Sequence, residues 1–295
     1  MTRRRNVRQF AGVVSSGLGC WLIAGAAAAQ GPGAPPADGA PAISAAEAAA
    51  QAPALPEPKG AKRLGEPDRV WVDAARHEVL VDGYVSLREG YLEMFACLAG
   101  TKEHESVVAV QTKAATVHAA LLAAGAKEGR PVRYRPTFEP PTGTTIRVEV
   151  RWLAEGGEWK TALAQEWIRQ AKTKEQMAEA WVFAGSGFWT DEKTGKRYYM
   201  AEGGDFICVS NFTTATLDVP FESSQANDGL LFEAHTERIP PLGTPVRLSL
   251  TPMLDDGEGA ETSPGEGSSA EAAPLEASSP PAAATENEAP AAGGP

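Results

Sequence analysis

Glu103, His104 and Glu105 form the most reactive-looking cluster of the sequence, directly before an apolar run. A histidine between two carboxylates has its protonated form favoured, so His104 and Glu105 are the candidate catalytic residues of a hydrolase. The pair also opens like the zinc-binding pattern His-Glu-x-x-His, but valine stands at position 108 and the second histidine is missing. The competing interpretation is a solvated turn that leads into a strand, and no catalytic residue is assigned.

Cys97 and Cys208 are the two cysteines that follow residue 29. With His104 and His118 they form the candidate ligand set of a metal-dependent or redox protein. The sequence completes no metal-binding pattern, so we predict neither a metal nor another cofactor. Each cysteine lies in an apolar run, which is typical of a buried thiol that packs as a small hydrophobe. We therefore predict two separate thiols without a disulfide between them.

The candidate ligand-binding residues are His118, Trp181, Trp189 and Asp205. A histidine on a helix face beside leucines, as His118 is, is more often a partly buried helix residue than a ligand. The tryptophans alternate with apolar residues, which indicates core packing first and an aromatic binding face second. The Gly-Ser-Gly run at 185–187 lacks the spacing of a nucleophile elbow, and its glycines indicate a bulge or a close backbone approach.

The elements that must position these residues are mostly short strands. Runs of β-branched and aromatic residues predict strands at 70–72, 79–81, 84–87, 106–110 and 146–152. The segment 112–124 has apolar residues at helical spacing and stops at Gly125, which predicts a helix capped by glycine. We expect an α+β fold, a mostly antiparallel β-sheet with one or two helices.

The sequence also carries an internal similarity. Two pairs of segments match at one offset, 140–150 with 240–250 and 107–117 with 207–217. A shared offset predicts an internal duplication of two similar halves, residues 70–152 and 153–252. The strands 106–110 and 145–151 should then superpose on 206–210 and 245–251. Coincidence between strands that follow Pro-Gly turns is the alternative.

The two ends of the chain differ from the middle in composition. Four arginines precede an apolar stretch that ends at Ala29, which predicts a signal peptide over residues 1–29 and a periplasmic or secreted protein. The stretch is also about as long as a bilayer span. The small residues at its end favour cleavage near Ala29 by a signal peptidase, and after cleavage no integral membrane segment is expected. Residues 30–58, rich in Ala and Pro, predict a disordered spacer, and residues 255–295, with nine acids and no base, predict a disordered acidic tail rich in Pro, Ser and Ala.

Composition excludes some classes of function. The formal net charge is −11, so a basic nucleic-acid-binding face is not the dominant feature and no nucleic-acid partner is expected. Four histidines and three cysteines exclude a metal-rich or disulfide-dense scaffold.

Four stretches of the middle block, 95–108, 118–125, 181–189 and 203–212, together resemble the YdjY domain of exported bacterial proteins. The resemblance covers most of residues 69–252. It implies an exported domain without assigned catalytic residues. Some relatives are described as ferredoxin-like, which would imply iron–sulfur clusters, but Cys97 and Cys208 are too few for a conventional cluster of four thiolates.

These observations favour a non-enzymatic binding or interaction module of the cell envelope that recognises a small ligand or an envelope protein. Two alternatives stay open. One is a metal-dependent or redox protein that uses Cys97, His104, His118 and Cys208. The other is a hydrolase centred on His104 and Glu105.

Overall fold

The computed structural model describes residues 43–224, 226 and 229–254. The predicted signal peptide, the first part of the predicted spacer and the predicted acidic tail lie outside the described residues. Within the described ranges, no helix combines the length and apolar character that a membrane crossing requires.

Short strands dominate the described chain. In chain order they are β1 (Lys62–Arg63), β2 (Val70–Asp73), β3 (Glu78–Val85), β4 (Tyr91–Leu92), β5 (Met94–Leu98), β6 (Ser106–Val110), β7 (Glu128–Arg130), β8 (Thr142–Gly143), β9 (Thr145–Leu153), β10 (Trp159–Leu163), β11 (Ile168–Gln170), β12 (Trp181–Phe183), β13 (Phe188–Thr190), β14 (Arg197–Tyr199), β15 (Ile207–Cys208), β16 (Leu217–Asp218), β17 (Phe232–Ala234) and β18 (Pro245–Pro252). The α-helices are α1 (Ala45–Gln51) and α2 (Ala114–Ala123), and the 3₁₀ turns are Glu103–Glu105, Ala164–Trp167 and Met200–Gly203.

Eight strands pair in a closed circuit and so form a barrel. Their order is β3-β18-β9-β12-β16-β15-β5-β6, and β6 pairs back with β3. Neighbouring strands are antiparallel except for β5–β6 and β15–β16, which are parallel. Closure pairs the backbone groups that an open sheet would leave free at its edges. Outside the circuit, β2 and β1 extend the sheet from β3, and β10 pairs with β9.

The predicted α+β class is wrong, because strands make up 36% and helices 14% of the structure and the central sheet is a closed barrel. The individual strand signals were sound, since β2, β6 and β9 lie where runs of apolar residues predicted them. The predicted helix is α2, which ends before Gly125. Whether a set of strands forms an open sheet or a barrel depends on long-range pairing, and no local pattern encodes it.

The matched strands β6 and β15 each have one parallel and one antiparallel neighbour: β6 pairs with β5 and β3, and β15 pairs with β16 and β5. The superposition of 106–110 on 206–210 stays a prediction. The strands of the other match, β9 and β18, are direct antiparallel neighbours. The boundaries of the two halves stay a prediction.

The barrel interior is filled by side chains. Alternate residues of β9 and β18 point inward and are fully buried: Ile146, Val148 and Val150, with Val246, Leu248 and Leu250. The aromatic residues Phe95, Trp181 and Phe183 belong to the same core. The interior is therefore a packed core, and surfaces for recognition lie outside it.

The described part of the predicted spacer, residues 43–58, contains the helix α1. Ser44 caps α1, since its hydroxyl accepts from the Glu47 N–H while the Glu47 carboxylate accepts from the Ser44 N–H. Ala45 and Ala49 of this helix pack against a cluster on the outside of the barrel that includes Tyr84. The capping box and this packing offset the ordering entropy that Ala/Pro composition alone would not.

A buried ion-pair network ties three neighbouring strands together. Asp82 of β3 accepts from Arg247 of β18 at 2.6 and 3.0 Å, and from Arg69 at 2.6 and 2.9 Å. Asp82 and Arg247 are 3% and 5% exposed, so the Asp82 carboxylate neutralises a guanidinium charge that water cannot solvate. Both guanidinium groups also lie over the Trp71 ring of β2, at 5.2 Å for Arg69 and 5.0 Å for Arg247.

Replacing Asp82 by alanine should destabilise the fold strongly, because it leaves the Arg247 guanidinium buried without its counter-ion. We expect the free energy of unfolding to fall by about 3–5 kcal/mol in urea titrations. Glu57→Ala is the control, because the carboxylate of Glu57 pairs with Arg63 at the surface and is 63% exposed; its effect should stay within about 1 kcal/mol. Equal effects of the two substitutions would refute the assigned importance of this network.

Candidate functional site

The candidate site is centred on His118 of α2, whose ring contacts the end of β12. Its ring lies edge-on to Phe183 and Tyr199, with centroids 4.9 and 5.3 Å away. Nδ1 is 2.9 Å from the Tyr199 hydroxyl, and Nε2 is 3.1 Å from the Glu128 carboxylate. We call His118, Glu128, Tyr199 and Gly185 the His118 site. The ring is buried while Glu128 is exposed, so the site reaches solvent through its carboxylate.

The Tyr199 hydroxyl carries one proton and has three acceptors in reach. The Gly185 carbonyl oxygen lies 3.0 Å away, His118 Nδ1 lies 2.9 Å away and the Thr216 hydroxyl lies 3.3 Å away. When His118 is neutral with its proton on Nε2, it donates to Glu128 and accepts from Tyr199. When both ring nitrogens carry protons, Nδ1 donates to the tyrosine oxygen, and the tyrosine proton goes to the Gly185 carbonyl or the Thr216 hydroxyl. The protonation state of His118 therefore limits which acceptors the tyrosine can use.

Burial sets the protonation states at this site. Desolvation lowers the pKa of His118 below its ordinary value of 6.5, and the Glu128 carboxylate opposes that shift. Burial also raises the pKa of Tyr199, which keeps its hydroxyl protonated. The neutral imidazole is thus the form that the fold favours at neutral pH.

The Gly185-Ser186 turn ends β12 and starts the next strand outside the barrel. Both residues have left-handed backbone, with φ of +84° at Gly185 and +57° at Ser186. A Cβ at position 185 would come within 3.0 Å of the Glu128 side chain, so glycine makes room for the carboxylate that holds His118. Ser186 donates its hydroxyl proton to the Thr214 carbonyl at 2.7 Å, which supports its strained conformation. The predicted alternatives for these glycines were a bulge or a close backbone approach, and the groups that approach them are the side chains of Glu128 and Met200.

Strands β13 and β14 and the turn between them project from this site, and we call residues 188–199 the aromatic hairpin. Phe188 and Trp189 are 52% and 50% exposed. Trp189 stacks on Tyr198 with centroids 4.8 Å apart and planes at 17°. On the other face Phe188 packs against Tyr199, with centroids 5.1 Å apart. Tyr199 therefore belongs to both the hairpin and the His118 site.

The candidate catalytic pair does not form a site. The 3₁₀ turn leaves the His104 side chain 78% exposed, with Nε2 3.7 Å from Glu105. Glu105 also lies 3.7 Å from the ammonium of Lys102. Glu103 accepts from the Tyr84 hydroxyl at 2.8 Å, which anchors the turn to β3. This geometry matches the solvated turn that was the competing interpretation.

The four candidate metal or redox residues do not come together. Cys97 and Cys208 are buried and unbridged, which confirms the predicted separate thiols. They lie on adjacent strands, but the residue opposite Cys208 is Met94. His118 contacts Glu128 and Tyr199 instead of the cysteines. Across the described ranges, no group of three or more His, Cys, Asp or Glu residues is placed to hold a metal ion. Burial raises the pKa of both thiols.

The two candidate tryptophans have different environments. Trp181 is fully buried in the barrel, and its indole N–H donates to the Cys208 carbonyl at 2.8 Å. Trp189, eight positions later in the same sequence run, is half exposed on the aromatic hairpin. The core interpretation is therefore confirmed for Trp181 and wrong for Trp189.

Asp205 takes part in a local ion pair, and a second buried acid, Asp218, was missed. Asp205 lies 2.8 Å from the Lys102 ammonium and accepts from the Thr214 hydroxyl. Asp218 is fully buried on β16 and accepts from the Asn211 amide at 3.1 Å and the Val219 N–H at 2.8 Å. Burial raises the pKa of Asp218 to about 8, so this carboxyl is mostly neutral at neutral pH. An aspartate before Val-Pro has no local pattern that announces such burial.

Replacing Glu128 by glutamine should lower the pKa of His118 further, because the carboxylate is what opposes the desolvation of the ring. The pKa is read from the histidine ring signals by NMR across a pH titration. Since the unfolded chain binds the proton first, stability should fall as pH falls through about 6.5, and more steeply in the variant. Glu105→Gln beside His104 is the matched control and should leave His118 unchanged. A His118 pKa that rises or stays constant in Glu128→Gln would contradict the assigned pairing.

Asp218→Asn should stabilise the protein at neutral and alkaline pH, because it removes the cost of ionising a buried acid. The pKa of Asp218 is raised from 3.8 to about 8 in the folded state, so the wild type loses stability as pH rises from about 4 to about 8. The difference in melting temperature between variant and wild type should therefore grow across that interval and vanish near its lower end. A difference independent of pH would mean that Asp218 is ionised in the folded protein.

Comparison with known proteins places the chain in one family. No curated protein and no solved structure was found to match it. The family model of the YdjY domain matches residues 70–251, which include the His118 site, the aromatic hairpin and the barrel except for the last residue of β18. The chain therefore belongs to the YdjY domain family.

Proposed function

We propose that this chain is an exported, non-enzymatic interaction module that engages another protein through its aromatic hairpin. The observation that carries the proposal is the pair of half-exposed rings, Phe188 and Trp189, held on a two-stranded projection from a packed barrel. Exposed apolar groups that lie next to one another on a projection mark an interaction site.

The composition of the hairpin favours a protein as the partner. Aromatic residues, methionine and arginine are enriched where proteins bind proteins, and tryptophan, tyrosine and arginine dominate the binding energy there. The hairpin carries Trp189 and Tyr198 on one face, and Phe188 with Arg197 on the other. Met200 follows directly and is partly exposed.

The hairpin is also held in place before binding, which reduces the entropy lost on association. Tyr199 fixes its base through the hydroxyl contacts to His118 and Gly185. Ser186 fixes the entry to β13 through its bond to the Thr214 carbonyl. A rigid aromatic projection loses less side-chain freedom on binding than a mobile loop would.

Export belongs to the proposal and rests on the predicted signal peptide, with cleavage near Ala29. The module would then act in the periplasm or outside the cell, and the partner would be an envelope protein. The net charge of −11 supports a protein partner over a nucleic acid.

Site-specific photo-crosslinking in the native cell tests the proposal. A photoreactive phenylalanine replaces Trp189 or, as control, Tyr91, a similarly exposed aromatic residue on β4. We expect a discrete protein adduct from position 189 and none from position 91. The adduct partner is then identified, purified and titrated. Trp189→Ala should weaken its binding at least about tenfold, because exposed aromatic anchors dominate interface energy, whereas Tyr91→Ala should have little effect.

Two outcomes would contradict the proposal. One is equal crosslinking from positions 189 and 91. The other is an affinity for the purified partner that Trp189→Ala leaves unchanged while the melting temperature is also unchanged.

A further inference from the structure

We infer that the partner of the aromatic hairpin is a second copy of this chain, joined edge to edge through β13. The inference rests on the proposed function, since it names the protein that covers the same surface. Two β13 strands would pair antiparallel about a two-fold axis and turn two hairpins into one four-stranded sheet.

The first observation is that β13 is an unpaired edge. Strands β13 and β14 form a sheet of their own, and within the described ranges neither pairs with another strand. The β14 side carries Lys196 and Arg197, and charged residues on an edge oppose pairing with another chain. From Ala184 to Thr190, in contrast, the chain contains no charged residue, and all three residues of β13 are exposed. One edge of the hairpin is protected against pairing and the other is not.

The second observation is the direction of the free backbone groups. The Asp191 N–H donates to the Lys196 carbonyl and the Met200 N–H to the Gly187 carbonyl, both at 2.9 Å. Hydrogen-bonded and non-bonded pairs alternate along an antiparallel ladder. Trp189 therefore sits in a hydrogen-bonded pair with Tyr198, while Phe188 and Thr190 point their N–H and C=O groups away from β14.

The free groups of Phe188 and Thr190 satisfy one another when the two-fold axis passes beside Trp189. Two-fold pairing sets Phe188 of each copy opposite Thr190 of the other, and each such pair exchanges two hydrogen bonds. Trp189 then faces its own counterpart in a non-bonded pair, where side chains approach most closely. Gly187 comes opposite Asp191 of the other copy, and because glycine has no side chain it does not clash with that aspartate.

The same register extends the aromatic stack. Trp189 and Tyr198 already lie parallel on one face of the hairpin. Across the two-fold axis the face becomes a row of four rings, with the two tryptophans at its centre. Such cross-strand aromatic pairs are among the most favourable contacts of a sheet surface. Because one edge supplies both halves of the interface, it has the isologous symmetry that is commonest among protein dimers.

Sedimentation-velocity measurements over a concentration series test the inference with two matched variants. Thr190→Pro removes an N–H from the free edge of β13, and Arg197→Pro removes the corresponding N–H from the edge of β14; neither residue belongs to a hydrogen-bonded pair within the hairpin. We expect a wild-type dimer, an at least tenfold weaker dimer for Thr190→Pro, and a dimer of wild-type strength for Arg197→Pro. Should proline unfold the hairpin, as judged by the melting temperature, Thr190→Lys replaces it and should give the same weakening.

Disulfide trapping tests the register itself. In a Cys20→Ser background, Trp189→Cys should form a covalent dimer under mild oxidation, because non-bonded antiparallel pairs bring their Cβ atoms together. Lys193→Cys at the hairpin tip should not. Cys97 and Cys208 are buried and do not compete.

Several outcomes would overturn the inference: a monomeric wild type at every concentration, equal weakening by Thr190→Pro and Arg197→Pro, or equal trapping at positions 189 and 193. If the chain is monomeric while Trp189→Ala weakens binding of a different crosslinked protein, this inference fails and the proposed function stands. If position 189 yields neither an adduct nor a dimer, both fail.

Discussion

The constraint on which the structure depends is that β3 shares one edge between two neighbours. Residues 78–81 of this strand pair with β2, and residues 83–85 pair with β6. The change occurs at Gly83, where a Cβ would collide with the Ala109 carbonyl oxygen of β6. A side chain there would push β6 away and open the barrel at its closing seam. Asp82, the preceding residue, points to the outer face, where it binds Arg247 and Arg69, so adjacent residues join β3 to both of its flanks.

Closure decides where the candidate site can lie. The interior is filled by the inward-pointing apolar side chains of the strands. The polar clusters therefore lie on the outer surface or where a strand leaves the barrel. Helix α2 follows β6 and brings His118 onto Phe183 of β12. Directly beyond Phe183, the Gly185-Ser186 turn leads the chain out into the aromatic hairpin. The hairpin is exposed because the barrel circuit passes from β12 to β16 and leaves β13 and β14 outside.

Single strands and helices could be predicted from the sequence. The pairing of the strands, and the burial that follows from it, could not. Alternation predicted β9, and helical spacing predicted α2. The same sequence run gave Trp181 and Trp189 similar neighbours, yet one lies in the barrel and the other on a separate hairpin, because pairing partners decide burial. The His118 site joins residues up to 81 positions apart, and no spacing rule connects them. Helix α1 did carry a local signal, the Ser44 to Glu47 capping box, which the Ala/Pro-rich composition of its segment obscured.

The His118 site and the aromatic hairpin are coupled through a single residue. Tyr199 uses its ring to support Phe188 on β13 and its hydroxyl to contact His118 and Gly185. The Gly185 carbonyl, directly after β12, therefore contacts the same side chain that supports Phe188 on the hairpin. Tyr199 has one proton, so it donates either to Nδ1 of a neutral His118 or to another acceptor such as the Gly185 carbonyl, whereas a protonated Nδ1 donates to the tyrosine oxygen and leaves that proton for the backbone. The base of the exposed aromatic surface is thus held by a tyrosine that packs against a buried imidazole, and burial favours the neutral form of that ring.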